Sequence, residues 1–168
     1  IAGTNGAHGR ASYQLQTSYN QSGNLIPPGI GSIVAHEKER MGDLPSFITI
    51  SGNARRAGYL GQRCEAYYVG RPGEKDPYLA FPAGINPLRG NQRLDLLARM
   101  NTRTTRRTGQ ADFKATETAI KEAVALMKSP TLKVFDLDKE NPDTLARYGD
   151  PDFGRGALLA RKLVETGV

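Results

Sequence analysis

A hydroxyl, an amide and an imidazole, on Thr4, Asn5 and His8, stand together in the small-residue run from Gly3 to Gly9. Behind them Ala11, Leu15 and Tyr19 recur every fourth residue, which predicts a loop feeding the buried face of a helix. The first backbone N–H groups of a helix have no partner within it and favour an anion. A phosphate or sulfate ester suits such a place. The same residues also fit a plain glycine-rich turn with an N-capping side chain and a surface histidine.

Elsewhere chemistry-bearing residues are sparse. His36 is the only other histidine and Cys64 the only cysteine, so no intrachain disulfide forms. There is no Walker loop, no dinucleotide-binding glycine pattern, and no His-x-His or His-Glu-x-x-His spacing. A metal site built from this chain would lean on carboxylates. A triad of Ser12, His8 and some Asp finds no support in spacing. Arg99, Arg103, Arg106 and Arg107 recur at a spacing that suits phosphates. Without interleaved aromatic residues or a framing motif they read as a solvated face, and nucleic acid is not an expected partner.

The elements that must position these groups are α and β in turn. Ser32 is predicted to cap a helix running to about Met41 and closed by Gly42, with Ile30, Ile33, Val34 and Met41 on one side. Glu37 falls on that stripe, as its wet edge or as a buried acid with a partner; His36 lies off it, solvated. Phe47 to Ile50 is β-branched and short, a strand buried on both faces. Asn53 to Gly90 reads as a long irregular excursion with Glu65 to Val69 its one plausible strand, pinned to the body by Tyr59, Tyr67, Tyr68, Tyr78 and Phe81. A helical half follows. Leu94, Leu97 and Met100 mark one helix, and Phe113, Ile120, Val124 and Met127 the next. Leu132 to Phe135 is a short apolar patch. Asn141-Pro142 opens another helix that Gly149 ends. Phe153, Ala157, Ala160 and Val164 form the stripe of the last, widened by Leu159 and Leu163.

At 168 residues, 38% hydrophobic and 24% charged, the composition is that of an ordinary soluble domain with a real core. No apolar run is long enough to span a bilayer. The charge of +6 permits attraction to anionic partners. Residue 1 is Ile rather than Met, and Val168 follows the helix-capping Gly167 as a strand's first residue would. The expectation is a piece of a longer protein: one partial domain, with residues 1–52 an α/β core segment, 53–90 the excursion and 91–168 helical.

Short words spread along the chain carry a resemblance. They are Ala7-His8 with Gln16-Thr17, Pro28-Gly29-Ile30-Gly31-Ser32, Asp43-Leu44-Pro45-Ser46-Phe47-Ile48 and Gly58-Tyr59-Leu60-Gly61. Further on come Pro82-Ala83-Gly84-Ile85, Phe135-Asp136-Leu137, Arg147-Tyr148-Gly149 and Leu158 to Glu165. No single word is specific; their order and spacing are. Together they resemble a large bacterial family of sulfatase-like proteins, the domain of unknown function fifteen-oh-one, within the alkaline phosphatase superfamily.

The resemblance implies a fragment of a parallel-sheet three-layer sandwich, with the active site at the carboxyl ends of the strands. It also implies a divalent metal (zinc, calcium or magnesium) polarising an anionic ester, with His8 as a metal ligand and Thr4, Asn5 and His8 as the catalytic corner. In sulfatases a modified cysteine opens the corresponding helix, which ends in Leu-Thr-Gly. Here His8 takes the cysteine's place and Ser18 the final glycine's. Where relatives have Gly-Thr-Gly-Arg-Tyr, this chain has Gly9-Arg10-Ala11-Ser12-Tyr13. An imidazole can ligate a metal or accept a proton but cannot reproduce the sulfatase nucleophile. The remaining Asp and His ligands are expected beyond Val168 and before Ile1, in the remainder of a longer chain, so no metal site is complete here and the chain alone is predicted to be inactive. The resemblance places the protein in the periplasm or outside the cell. A metal-dependent sulfatase-like or phosphatase-like hydrolase is one reading; a non-catalytic structural or binding protein of the cell envelope is the other.

Overall fold

The structure, a computed structural model, describes residues 6–38, 41–52, 54–74, 76, 79–80, 82–109, 112–149 and 151–168. The fold is mixed α/β and rich in helix. Its elements in order are α1 (His8–Thr17), α2 (Ile30–Glu37), β1 (Ile48–Ile50), β2 (Tyr67–Val69), α3 (Pro87–Thr108), α4 (Asp112–Lys128), α5 (Pro142–Tyr148) and α6 (Pro151–Glu165).

β1 and β2 pair in parallel, with Ile48 opposite Tyr67 and Ile50 opposite Val69. The Tyr67 amide donates to the Phe47 carbonyl and the Ser51 amide to the Val69 carbonyl, each at 2.9 Å, so the ladder extends one residue past either end. Both strands expected from the sequence are present, but β1 is half-buried at all three residues rather than buried on both faces. The crossover that a parallel pair requires is here two 3-10 turns, Gly58–Leu60 and Gln62–Cys64, where an α-helix is usual. Within the predicted excursion the chain is therefore turned and bonded, and α3 begins inside its expected bounds. Asn86 caps α3 by accepting from the Arg89 amide at 2.8 Å, with Pro87 in the first helical position. The same Asn-Pro device opens α5, where Asn141 accepts from the Asp143 amide at 2.8 Å.

The core gathers on the inner side of α6. Leu158, Leu159 and Leu163 meet Leu137, Val134, Leu126 and Leu44, with Ile48, Ile50, Tyr67 and Val69 of the sheet packed against them. The centre of the stripe predicted for this helix is overturned, because Phe153 is 82% exposed and Ala157, Ala160 and Val164 are exposed too, while Leu159 and Leu163, expected only to widen it, are core. Three leucines bury more apolar surface than two alanines with Phe153 and Val164 at the margins, and the helix turns accordingly. Gly154 fixes the same rotation: a Cβ there would lie 2.4 Å from the Tyr148 carbonyl, so only glycine lets α6 pass so close to the end of α5.

The two N-terminal helices also differ from expectation. Ser32 is an inner residue of α2 rather than its cap; it is fully buried, and its Oγ has no hydrogen-bond partner among the described residues. Gly31 lies against the Phe47 ring, so small residues face inward and Ile30, Ile33 and Val34 face outward, Ile30 being 68% exposed; the helix ends at Glu37 with Lys38 extended, so Met41 and Gly42 lie beyond it rather than closing it. Glu37 shares that outer side and reaches water beside the exposed His36, with Oε1 3.1 Å from the imidazole Nδ1. In α1 Leu15 is exposed, as is Tyr19 just past its end, and the buried residue is Thr17, whose hydroxyl donates to the Tyr13 carbonyl at 2.8 Å. Where the aromatic residues of the excursion were expected to pin it, Tyr67 does so alone among the described ones. Its ring meets that of Phe135 at 6.1 Å and its hydroxyl donates to Asp76; Tyr59 and Tyr68 are exposed, and Tyr78 and Phe81 lie outside the described residues. Burial first, and the Asp76 bond and charge next, push the Tyr67 phenol up.

Two ion pairs tie the 137–141 turn to α6, Arg155 to Asp138 at 3.1 Å and Lys162 to Glu140. Lys162 Nζ donates to Glu140 Oε2 at 2.6 Å, and that bond, more than the charge behind it, holds the Glu140 carboxyl below its ordinary range. A depressed carboxylate adds stability above its unfolded pKa and loses it as pH falls through the folded one. In a carboxyl-resolved NMR titration Glu140 should titrate below the ordinary glutamate range, and Lys162→Gln should raise it.

Candidate anion site at the start of α1

The start of α1 is exposed from Gly6 through Arg10. Ala7 holds the cap position with extended geometry (φ −90°, ψ 121°) and has no side-chain group to bond the first amides, no other described side chain caps them, and no acid lies in the first turn. These N–H groups keep their partial positive charge, and His8 and Arg10 stand beside them. Among the described members of the predicted corner, the structure places His8 at this helix start; Thr4 and Asn5 lie outside the described residues.

Arg55 fastens α1 to the rest of the chain. Its Nε donates to Gln16 Oε1 at 2.7 Å, and its guanidinium carbon lies 5.2 Å from the centre of the Tyr13 ring. Arg55 also backs the start of α2, since a Cβ on Gly29 would lie 2.7 Å from the Arg55 Cβ, and the Gly29 amide donates to the Arg56 carbonyl at 3.2 Å. Sequence reasoning missed Arg55. Its partner is 39 residues away, and no spacing rule reaches that far. Three of the words noted in the sequence meet here: Gly58 abuts the Ile26 carbonyl beside Pro28-Gly29, and Gly31 abuts Phe47. The glycines in those words mark close approaches between distant segments.

A second concave place lies between α2, the Gln62–Cys64 turn and α4, with a volume of about 710 Å³. His36, Lys38, Cys64 and Glu65 line it, and Arg63 reaches Glu122 of α4 at 3.4 Å across its rim. His8 is not among its lining residues. Among the described residues no three His, Cys, Asp or Glu side chains gather as a metal site requires, so His8 is a single donor.

A short parallel sheet packed among helices, with the start of α1 presented to solvent, defines a mixed α/β protein. The model of the family described as "Protein of unknown function (DUF1501)" matches residues 1–168, and the chain belongs to that family. Comparison with curated proteins and with solved structures gives no match.

Proposed function

We propose that this chain is the anion-binding segment of a sulfatase-like or phosphatase-like ester hydrolase, built as part of a three-layer sandwich of the alkaline phosphatase kind. The observation that carries the reading is the start of α1: an exposed run of amides without a capping side chain among the described residues, no acid in the first turn, and His8 and Arg10 alongside. Amides so placed bind and orient a sulfate or phosphate group without a charge of their own to desolvate. His8 supplies one nitrogen, either to a divalent metal or to a proton in transit; the described residues do not complete a metal site around it, and no step is derived through one. The exposed apolar sides of α1 and α2, and a parallel sheet of two strands among the described residues, are in keeping with a larger sheet, since such sheets are normally covered on both faces. No helix among the described residues is long and apolar enough to cross a membrane. A periplasmic or secreted location goes with this reading on the resemblance alone.

Hydrolysis of an aryl sulfate or aryl phosphate by the full-length protein, with divalent metal supplied, tests the proposal. Loss of turnover by about a hundredfold or more in His8→Ala, with an unchanged circular dichroism spectrum, is the expected result. Unchanged turnover in that variant would remove His8 from the chemistry. The non-catalytic alternative is favoured by one feature, the 710 Å³ cavity away from His8. Its size is that of a ligand pocket. No ester hydrolysis by the metal-supplied protein, together with a small molecule held at Cys64 and Lys38, would decide for it.

A further inference from the structure

α3 packs by one side only. Leu94, Ala98 and Asn101 share a gap of about 210 Å³ with Ile120 and Val124 of α4, and with Thr105 they are the half-buried stripe of the helix. At 3.6 residues per turn the opposite side carries Arg89, Arg93, Leu96, Met100, Arg103 and Arg107, one above another at steps of four and three. Arg99 and Arg106 flank this line. All six arginines are exposed, none forms an ion pair with another described residue, and the helix holds a single acid, Asp95. At the middle of the line Leu96 is 59% exposed and Met100 57% exposed.

We propose that this outer face of α3 docks on an anionic lipid surface. The order of residues selects that occupant. Two pairs of arginines, nearly three turns apart at their nearest members and on either side of an apolar centre, match a layer that is anionic at the headgroups and apolar just beneath them. Leu96 and Met100 enter the acyl boundary while the guanidinium groups engage phosphates. A nucleic acid duplex would use the arginines and leave Leu96 and Met100 idle, and this face offers no aromatic ring for a base to stack on. A partner helix in a coiled coil needs apolar residues all along the seam, and four of the six here are arginine. The inference is independent of the reading of α1, because no residue of α3 belongs to that site.

Co-sedimentation of the full-length protein with vesicles of phosphatidylcholine, alone or mixed with phosphatidylglycerol, is the test. Binding is expected to the mixed vesicles only, and to fall steeply as salt rises. The variant R89Q/R93Q/R103Q/R107Q should lose affinity by on the order of a hundredfold. Leu96→Gln with Met100→Gln keeps every charge and should still lose about tenfold. All six positions are exposed, so an unchanged circular dichroism spectrum is expected of both variants. Failure to bind mixed vesicles, or an arginine variant that binds like the parent, overturns the proposal. So does duplex DNA binding that survives the Leu96 and Met100 changes while vesicles are ignored; that result assigns the face to nucleic acid.

Discussion

Leu159→Ala should destabilise the fold by about 2–5 kcal/mol, the range for removing a leucine side chain from a close-packed interior. Leu159 is wholly buried and lies at the meeting point of α6, the Pro130–Phe135 turn and the sheet. Its neighbours are held by other elements: Leu126 by α4, Leu137 by the turn after Val134, and Ile48 and Val69 by paired strands. None can move inward without breaking its own contacts, so the cavity stays largely unfilled. Phe153→Ala on the same helix is the matched control. It deletes a larger apolar group that is already mostly in water, and should shift stability by no more than about 0.5 kcal/mol. Equilibrium urea unfolding of the two variants, read at unchanged m-value, checks the pair. A Leu159→Ala loss below about 1 kcal/mol, or a Phe153→Ala loss equal to it, would mean that α6 presents its other side to the core.

That comparison also marks where the sequence stops being legible. Asn141-Pro142 and Gly149 announce a helix whose ends are made by their own neighbours, and both ends fall as expected. The strand from Phe47 to Ile50 and its partner near Tyr67 are legible for a similar reason, because β-branched and aromatic residues crowd into short runs between turns. Which side of a helix is buried is another matter. Leu15, Ile30, Ile33 and Val34 have the periodicity of a buried face, yet α1 and α2 are held by Thr17, Gly31 and Ser32. Phe47 occupies the space against α2 and leaves room only for glycine. In α6, too, periodicity admits two stripes, and only the position of Leu137 and Leu126 chooses between them. The start of a helix near His8 was legible because it is local. Arg55, which aims that helix, and the cavity beside Cys64 were not, since each is assembled from segments that meet only in the fold.

Gly58→Ala should cost on the order of 3 kcal/mol and reach as far as α1. Gly58 has φ +54°, in the left-handed region, and a Cβ there would stand 2.0 Å from the Ile26 carbonyl oxygen and 3.1 Å from the Pro27 carbonyl carbon. Both obstacles are backbone, and Pro27-Pro28 stiffens the chain that carries them. The added methyl must therefore push the 26–29 segment away from the 55–58 segment. That movement strains the bond from the Gly29 amide to the Arg56 carbonyl, and with it the setting of Arg55 on Gln16 and Tyr13. Gly109→Ala separates contact from backbone conformation. It too is left-handed (φ 69°, ψ 2°), but its Cβ meets nothing within 4 Å, so it should lose only the conformational share of about 1 kcal/mol. Hydrogen exchange then locates the effect: Gly58→Ala should speed exchange at the amides of Gln14 to Ser18, and Gly109→Ala should leave them alone. Equal losses in the two variants, with α1 unaffected in both, would mean that the Ile26 and Gly58 segments are not in contact, and the anion site would lose the buttress that sets the direction of α1.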